Sequence, residues 1–70
     1  MYEWRKVILK SNCTMKEAIK VLNEEALRIV MVVDDNQKLI GTITDGDIRR
    51  ALLSKHNLDS LLKEFMFTNP

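Results

Sequence analysis

The sequence predicts a small α+β domain in the order β-α-β-β-α, a small mixed sheet with its helices packed on one side. Three observations predict it. Short runs rich in β-branched residues stand at 7–9, 29–33 and 39–43, each of strand length. Apolar residues recur at helical spacing between the first and second runs and again after the third. The chain has 70 residues, 46% of them hydrophobic and 30% charged, which suits one globular domain and excludes two.

Val7, Ile8 and Leu9 form a brief strand bounded by the polar Lys10-Ser11-Asn12. Thr14 then opens a helix, because Thr14 and Glu17 have the spacing at which a hydroxyl and a carboxylate each satisfy a backbone N–H of the first turn. Met15, Ala18, Ile19 and Leu22 give that helix one apolar face. Ile29 to Val33 is apolar at both parities, so it reads as a central strand covered on both sides. Asp34-Asp35-Asn36-Gln37 makes a turn into Leu39-Ile40-Gly41-Thr42-Ile43, a connection short enough for an antiparallel hairpin. The first strand, joined through a helix, runs parallel to one of these two. At Thr44-Asp45-Gly46-Asp47 the period changes, and Ile48, Ala51 and Leu52 mark the inner face of a second helix with Arg49 and Arg50 on its polar side. Ser54 to Asn57 interrupts it, and Leu58, Leu61, Leu62 and Phe65 trace one more short helical stripe.

Composition excludes several functions. Lys+Arg 11 against Asp+Glu 10 leaves a net charge of +1, too little to attract a nucleic acid or an anionic membrane. The apolar run after Lys6 is only three residues long, Val7 to Leu9, too few for a signal-peptide core or a membrane span, so the cytoplasm is the expected location. Cys13 has no disulfide partner in the chain, and with the lone His56 it cannot complete a zinc site. Asp34, Asp35, Asp45 and Asp47 lack the spacing of a calcium loop, so no metal is expected. No third group orients Cys13 and His56 for nucleophilic catalysis, and no catalytic residue is assigned. Met15, Met31 and Met66 read as core filler, and Trp4 with Tyr2 as cover for an open apolar edge or a contact to a partner domain. A core this small without staples calls for association, and a dimer is expected.

The junction from Leu39 to Arg50 is where chemistry concentrates. A strand hands over there to a helix N-terminus, whose unpaired N–H groups and positive dipole end attract anions. A phosphate would be held by those donors, by the Thr44 hydroxyl and by a guanidinium of Arg49 or Arg50. Asp47, an acceptor only, suits vicinal ribose hydroxyls instead. A purely structural reading fits the same residues, since Thr44 and Asp47 also have capping-box spacing. Gly46 then only eases the turn, and Gly41 inside a strand marks a bulge or a close backbone approach.

The element order, the apolar strand before Asp34-Asp35, and above all Gly41, Thr44, Asp47 and Ile48 in a Gly-x-x-Thr-x-x-Asp-Ile pattern look like a cystathionine-beta-synthase (CBS) domain, matched over residues 7–55. That resemblance implies a regulatory module rather than an enzyme, binding an adenine nucleotide (AMP, ADP or ATP) through Thr44 to phosphate and Asp47 to ribose, with Asp45, Gly46, Arg49 and Arg50 completing the site. It also implies tandem pairing, so residues 1–70 are expected to be a single repeat, a fragment of a pair whose cleft a second repeat or a homodimer completes, and a linked catalytic domain is expected. The string Thr44 to Leu52 resembles CBS pairs of sugar-phosphate enzymes. Met1 to Lys6 and Met66 to Pro70 look like a sugar-phosphate nucleotidyltransferase with an N-terminal pair, the host expected here, with an arabinose-5-phosphate isomerase as the alternative. A module that dimerises its host without any ligand is the alternative from a different class.

Overall fold

Local chemistry starts the first helix where the spacing predicts. In a computed structural model, which describes residues 4–68, the Glu17 N–H donates to Thr14 Oγ1 at 3.4 Å and the Thr14 N–H donates to Glu17 Oε1 at 3.2 Å. These reciprocal bonds open α1 (Met15–Glu24), and Met15, Ala18 and Leu22 on its inner face are buried. The roles expected for Tyr2 and for the Trp4 side chain lie outside the described residues, as do parts of the two terminal stretches.

Three strands form one sheet in the order β1 (Ile8–Lys10), β2 (Val30–Val33) and β3 (Leu39–Ile43). The pairing is parallel between β1 and β2 and antiparallel between β2 and β3, as the connections require. Asp34 builds the hairpin turn: its Oδ1 accepts from the N–H groups of Asn36 (2.8 Å) and Lys38 (3.0 Å). Gln37 adopts a left-handed φ of 65° in that turn. Opposite Val32 and Val33 the partners are Gly41 and Leu39, so Ile40 is the extra residue of a bulge.

The second helix, α2 (Asp45–Leu53), follows Thr44 directly. Val30, Val32 and Ile43 of the sheet meet Met15, Ala18 and Leu22 of α1, Ile48 and Ala51 of α2, and Leu62 in one core. Both helices therefore serve the same sheet face, which is the α+β arrangement the sequence predicts.

Several expectations about the strands and the second helix need correction. The first strand begins one residue late, because Val7 ends a 3-10 turn (Trp4–Val7), where it is buried. The second strand likewise starts at Val30, with Ile29 left ahead of it. On the face of β2 away from the helices, Ile8, Met31 and Thr42 stand in register and half-buried, so that side is not closed as the inner one is. Leu52, placed on the inner face of α2 by spacing, is 48% exposed, and Leu53 is 82% exposed.

The stripe at 58–65 is not a helix beyond the 3-10 turn Leu62–Glu64. Asn57 and Ser60 divert it, since Ser60 Oγ accepts from the Asn57 N–H (3.0 Å) and Asn57 Oδ1 from the Asp59 N–H (2.8 Å), a local alternative to helix. The chain then runs past the start of α1. There the N–H groups of Met15 and Lys16, which no helical carbonyl can reach, donate to Ser60 O (2.8 Å) and Leu58 O (3.1 Å). Leu62 N–H donates to Cys13 O at 2.9 Å, and the Leu62 side chain is fully buried. Among the described residues no helix is long and apolar enough to cross a membrane.

Leu62 and Leu53 give a controlled comparison. Leu62→Ala is expected to destabilise by about 2–5 kcal/mol in urea unfolding, the usual cost of emptying a buried leucine site. Leu53→Ala is expected to stay within about 0.5 kcal/mol of the original protein.

Candidate functional site

The junction between β3 and α2 is organised by one carboxylate. Thr44 is extended (φ −122°, ψ 175°), which turns its N–H and hydroxyl toward the first turn of the helix. Both donate to Asp47 Oδ2, at 3.0 and 3.1 Å, while Arg50 Nη2 donates to Asp47 Oδ1 at 2.5 Å. Asp47 is the one charged residue buried among those described. A buried carboxylate must be matched by donors, and three supply the match.

Arg50 itself is largely exposed, so its guanidinium is tethered at one nitrogen and otherwise faces water. Arg49 is exposed and makes no ion pair among the described residues. Asp45, exposed in the first turn of α2, is approached by Arg28, whose Nη1 lies 3.7 Å from Asp45 Oδ2. Thr44, Asp45, Gly46, Asp47 and Arg50 are thus brought together, and Arg28 joins them from the segment before β2. Spacing alone does not find Arg28, although an arginine directly ahead of an apolar strand was a visible signal. Its backbone is in the left-handed region at φ 58°, a conformation that non-glycine residues seldom hold without a structural reason.

Gly46 does not ease a turn. It lies within α2 with no positive φ, and a Cβ there would sit 3.4 Å from Arg50 Nη1 and 3.7 Å from Thr44 Oγ1, ordinary contact distances. Its effect is to leave open space between the Thr44 hydroxyl and the Arg50 guanidinium. Gly41, by contrast, is both next to a bulge and in close approach to a later segment, the two reasons its place in a strand suggests.

Other candidate groups are dispersed. Asp34 and Asp35 lie in the hairpin turn, at the far end of β3 from Asp45 and Asp47, and Asp35 is 3.8 Å from Lys10 Nζ. Among the described residues no three of His, Cys, Asp and Glu come together in a way that could hold a metal ion. Cys13 has Glu17 and Lys10 for charged neighbours, and burial, ahead of a Glu17 contribution, pushes its thiol above the ordinary range. His56 lies elsewhere, its ring tilted against Phe65 at 5.6 Å and its Nδ1 4.0 Å from Glu64 Oε1.

Two outcomes follow from this geometry. Gly46→Ala is expected to raise stability by about 0.5–1 kcal/mol, because alanine fits the helix and restricts the unfolded chain; a thermal melt reads it. Burial disfavours the Cys13 thiolate, so Cys13 is expected to react with iodoacetamide at pH 8 more slowly in the folded protein than in urea, since the thiolate is the nucleophile.

Comparison with known proteins places these features in a wider set. A chloride channel protein, CLC-f, from Arabidopsis thaliana is 41% identical over 58 residues, covering 83% of this chain and 7% of that protein. A probable arabinose 5-phosphate isomerase from Haemophilus influenzae is 39% identical over 56 residues, covering 77% of this chain and 16% of that protein. The chain thus spans a small part of each of these relatives. A crystal structure of a CBS-domain containing protein from Agrobacterium tumefaciens superposes with a TM-score of 0.81 at 22% identity, covering 90% of this chain and 48% of that one. Residues 4–54 match the CBS domain family, and with Thr44 and Asp47 at the start of its second helix the chain belongs to that family.

Proposed function

We propose that this CBS domain binds an adenine nucleotide at the start of α2 and thereby biases the arrangement of a linked domain. The observation that carries the reading is the convergence of unlike groups at one helix N-terminus. Thr44 offers a hydroxyl, Arg28 and Arg50 bring guanidinium groups from two different elements, and Asp47 presents acceptor oxygens among them. Phosphate suits the helix end and the guanidinium groups, and ribose hydroxyls suit the carboxylate. Because Arg50 is tethered to Asp47 at its exposed end, a ligand hydroxyl can replace that contact without exposing a buried charge. Asp45 and Gly46 border the same opening, Gly46 by adding no side chain to it, whereas Arg49 is exposed on α2 and makes no ion pair with these groups among the described residues.

A second repeat or a second copy of this chain completes the cleft in this reading. The half-buried outer sheet face at Ile8 and Met31 and the exposed Leu52, Leu53 and Leu58 are the apolar surfaces that such pairing would cover. Among host enzymes, the Haemophilus relative favours a sugar-phosphate isomerase over the nucleotidyltransferase suggested by the chain's two ends. The Arabidopsis relative, named as a channel, shows this type of sequence joined to a very different host. Regulation then consists of different nucleotide affinity for two arrangements of the pair.

A nucleotide titration by thermal melting tests this reading. A ligand at 100 times its dissociation constant stabilises the folded state by about 2.7 kcal/mol. Each kcal/mol moves the midpoint of so small a domain by roughly 4–8 °C. Asp47→Ala is expected to lower stability by about 1 kcal/mol with or without ligand, through the lost cap. The ligand-induced shift is therefore compared within each protein. It should largely vanish in Asp47→Ala for every adenine ligand, and Arg28→Ala or Arg50→Ala should weaken AMP while leaving adenosine unchanged. Absence of a shift with AMP, ADP and ATP at millimolar concentration, both for this chain and for one carrying a second repeat, would replace this reading with the ligand-free dimerisation module.

A further inference from the structure

The outer edge of β3 holds a contact that the ligand reading does not use. Thr42 exchanges a pair of backbone bonds with Phe67, its N–H donating to Phe67 O at 3.0 Å and its carbonyl accepting from the Phe67 N–H at 2.9 Å. Beside this pair, a Cβ on Gly41 would stand 2.7 Å from Met66 Sδ, 2.9 Å from Met66 Cγ and 3.1 Å from Phe67 O. A side chain at position 41 would therefore have to displace the Met66 thioether and crowd the Phe67 carbonyl. Besides the Thr42 pair, the Met66–Phe67 segment is held by one bond from the Met66 N–H to Leu62 O at 2.9 Å and by partial packing of Met66 against the core. Met66 is half-buried, the Phe67 side chain is 52% exposed and Thr68 is exposed, whereas Leu62, a few residues earlier, is fully buried.

We propose that Met66–Phe67 is a releasable latch on β3, closed because position 41 is glycine and able to open while the domain stays folded. Segments with exposed side chains and only two bonds to the sheet open locally at a smaller free-energy cost than the core. Opening frees the N–H and C=O of Thr42 on an unpaired sheet edge, which other strands can join. It also releases β3 from one of its two neighbours just before Thr44, the residue that caps α2. The latch thus ties the position of the chain after Leu62 to the strand that enters the candidate site. It goes beyond the nucleotide reading and stands whether or not a ligand binds.

Amide hydrogen exchange on the 70-residue chain tests the proposal. In the original protein the Phe67 and Thr42 amides should exchange faster than those of Val30 and Val32 in the central strand. Gly41→Ala should accelerate Phe67 and Thr42 by about tenfold or more and leave Val30 and Val32 unchanged, the mark of local opening. Adding Met66→Ala to that variant removes two of the three close contacts and should restore most of the protection. Should Gly41→Ala fail to fold, Phe67→Pro deletes the donor to Thr42 without adding bulk to β3, and should speed the Thr42 amide alone. Exchange of Phe67 at the same rate as Val30 in the original protein, unaltered protection in Gly41→Ala, or unfolding of the whole domain by Phe67→Pro would each overturn the latch.

Discussion

Asp47 is a carboxylate almost withdrawn from water, and the arrangement around it follows from the need to satisfy its charge. Its two oxygens take donors from Thr44, one turn earlier in the chain, and from Arg50, one turn later. Those bonds set how β3 gives way to α2, and so where Ile48 and Ala51 land against Val30 and Ile43. Losing one partner of a buried charge costs more than an ordinary hydrogen bond, because the group left behind is unsolvated. The same carboxylate leaves lone pairs beside exposed guanidinium groups. A structural cap and a candidate ligand contact are thus one side chain, and the two demands reinforce each other at this position.

A second constraint is the smallness of the core. The domain has no disulfide among its described residues, and its sheet is covered by helices on one side. Closure comes instead from the chain's return after α2. Residues 58–63 lie along the start of α1 and satisfy N–H groups that helix geometry leaves open, while Leu62 fills the core between the helices. The match to the CBS family ends at residue 54, so this closing segment lies beyond it. Its backbone bonds and its one fully buried leucine make it part of the domain nonetheless. The outer sheet face and the exposed leucines of α2 remain as surfaces suited to a neighbour.

Much of the fold and part of the site were legible because they are written in short-range patterns. Thr14 with Glu17, and Thr44 with Asp47, declare helix starts through interactions that span three residues, and both pairs bond as their spacing predicts. Asp34 declares a turn for the same reason. The apolar run 29–33 identifies the central strand but, being apolar at both parities, not which of its faces the helices cover, while Gly41 within a strand signals the close approach that Met66 makes. Elements, hairpin, sheet directions and the location of the candidate site were therefore determined by the sequence itself.

Tertiary structure decided what depends on distant competitors for the same groups. Leu58, Leu61, Leu62 and Phe65 have helical spacing, yet carbonyls at 58 and 60 are claimed by the open N–H groups of α1, and the segment forms a turn at 57–60 and the short 3-10 turn Leu62–Glu64 instead. Leu52 has core spacing, but Ile48 and Ala51 already occupy the face that meets the sheet and α1. Arg28 reaches the start of α2 because the antiparallel pairing of β2 with β3 brings the entrance of β2 beside the exit of β3, where Val30 pairs with Ile43. Periodicity says which side chains seek burial and which backbone groups a turn can satisfy. It does not say which remote segment arrives to satisfy the rest, because that is settled when the elements compete for one small core.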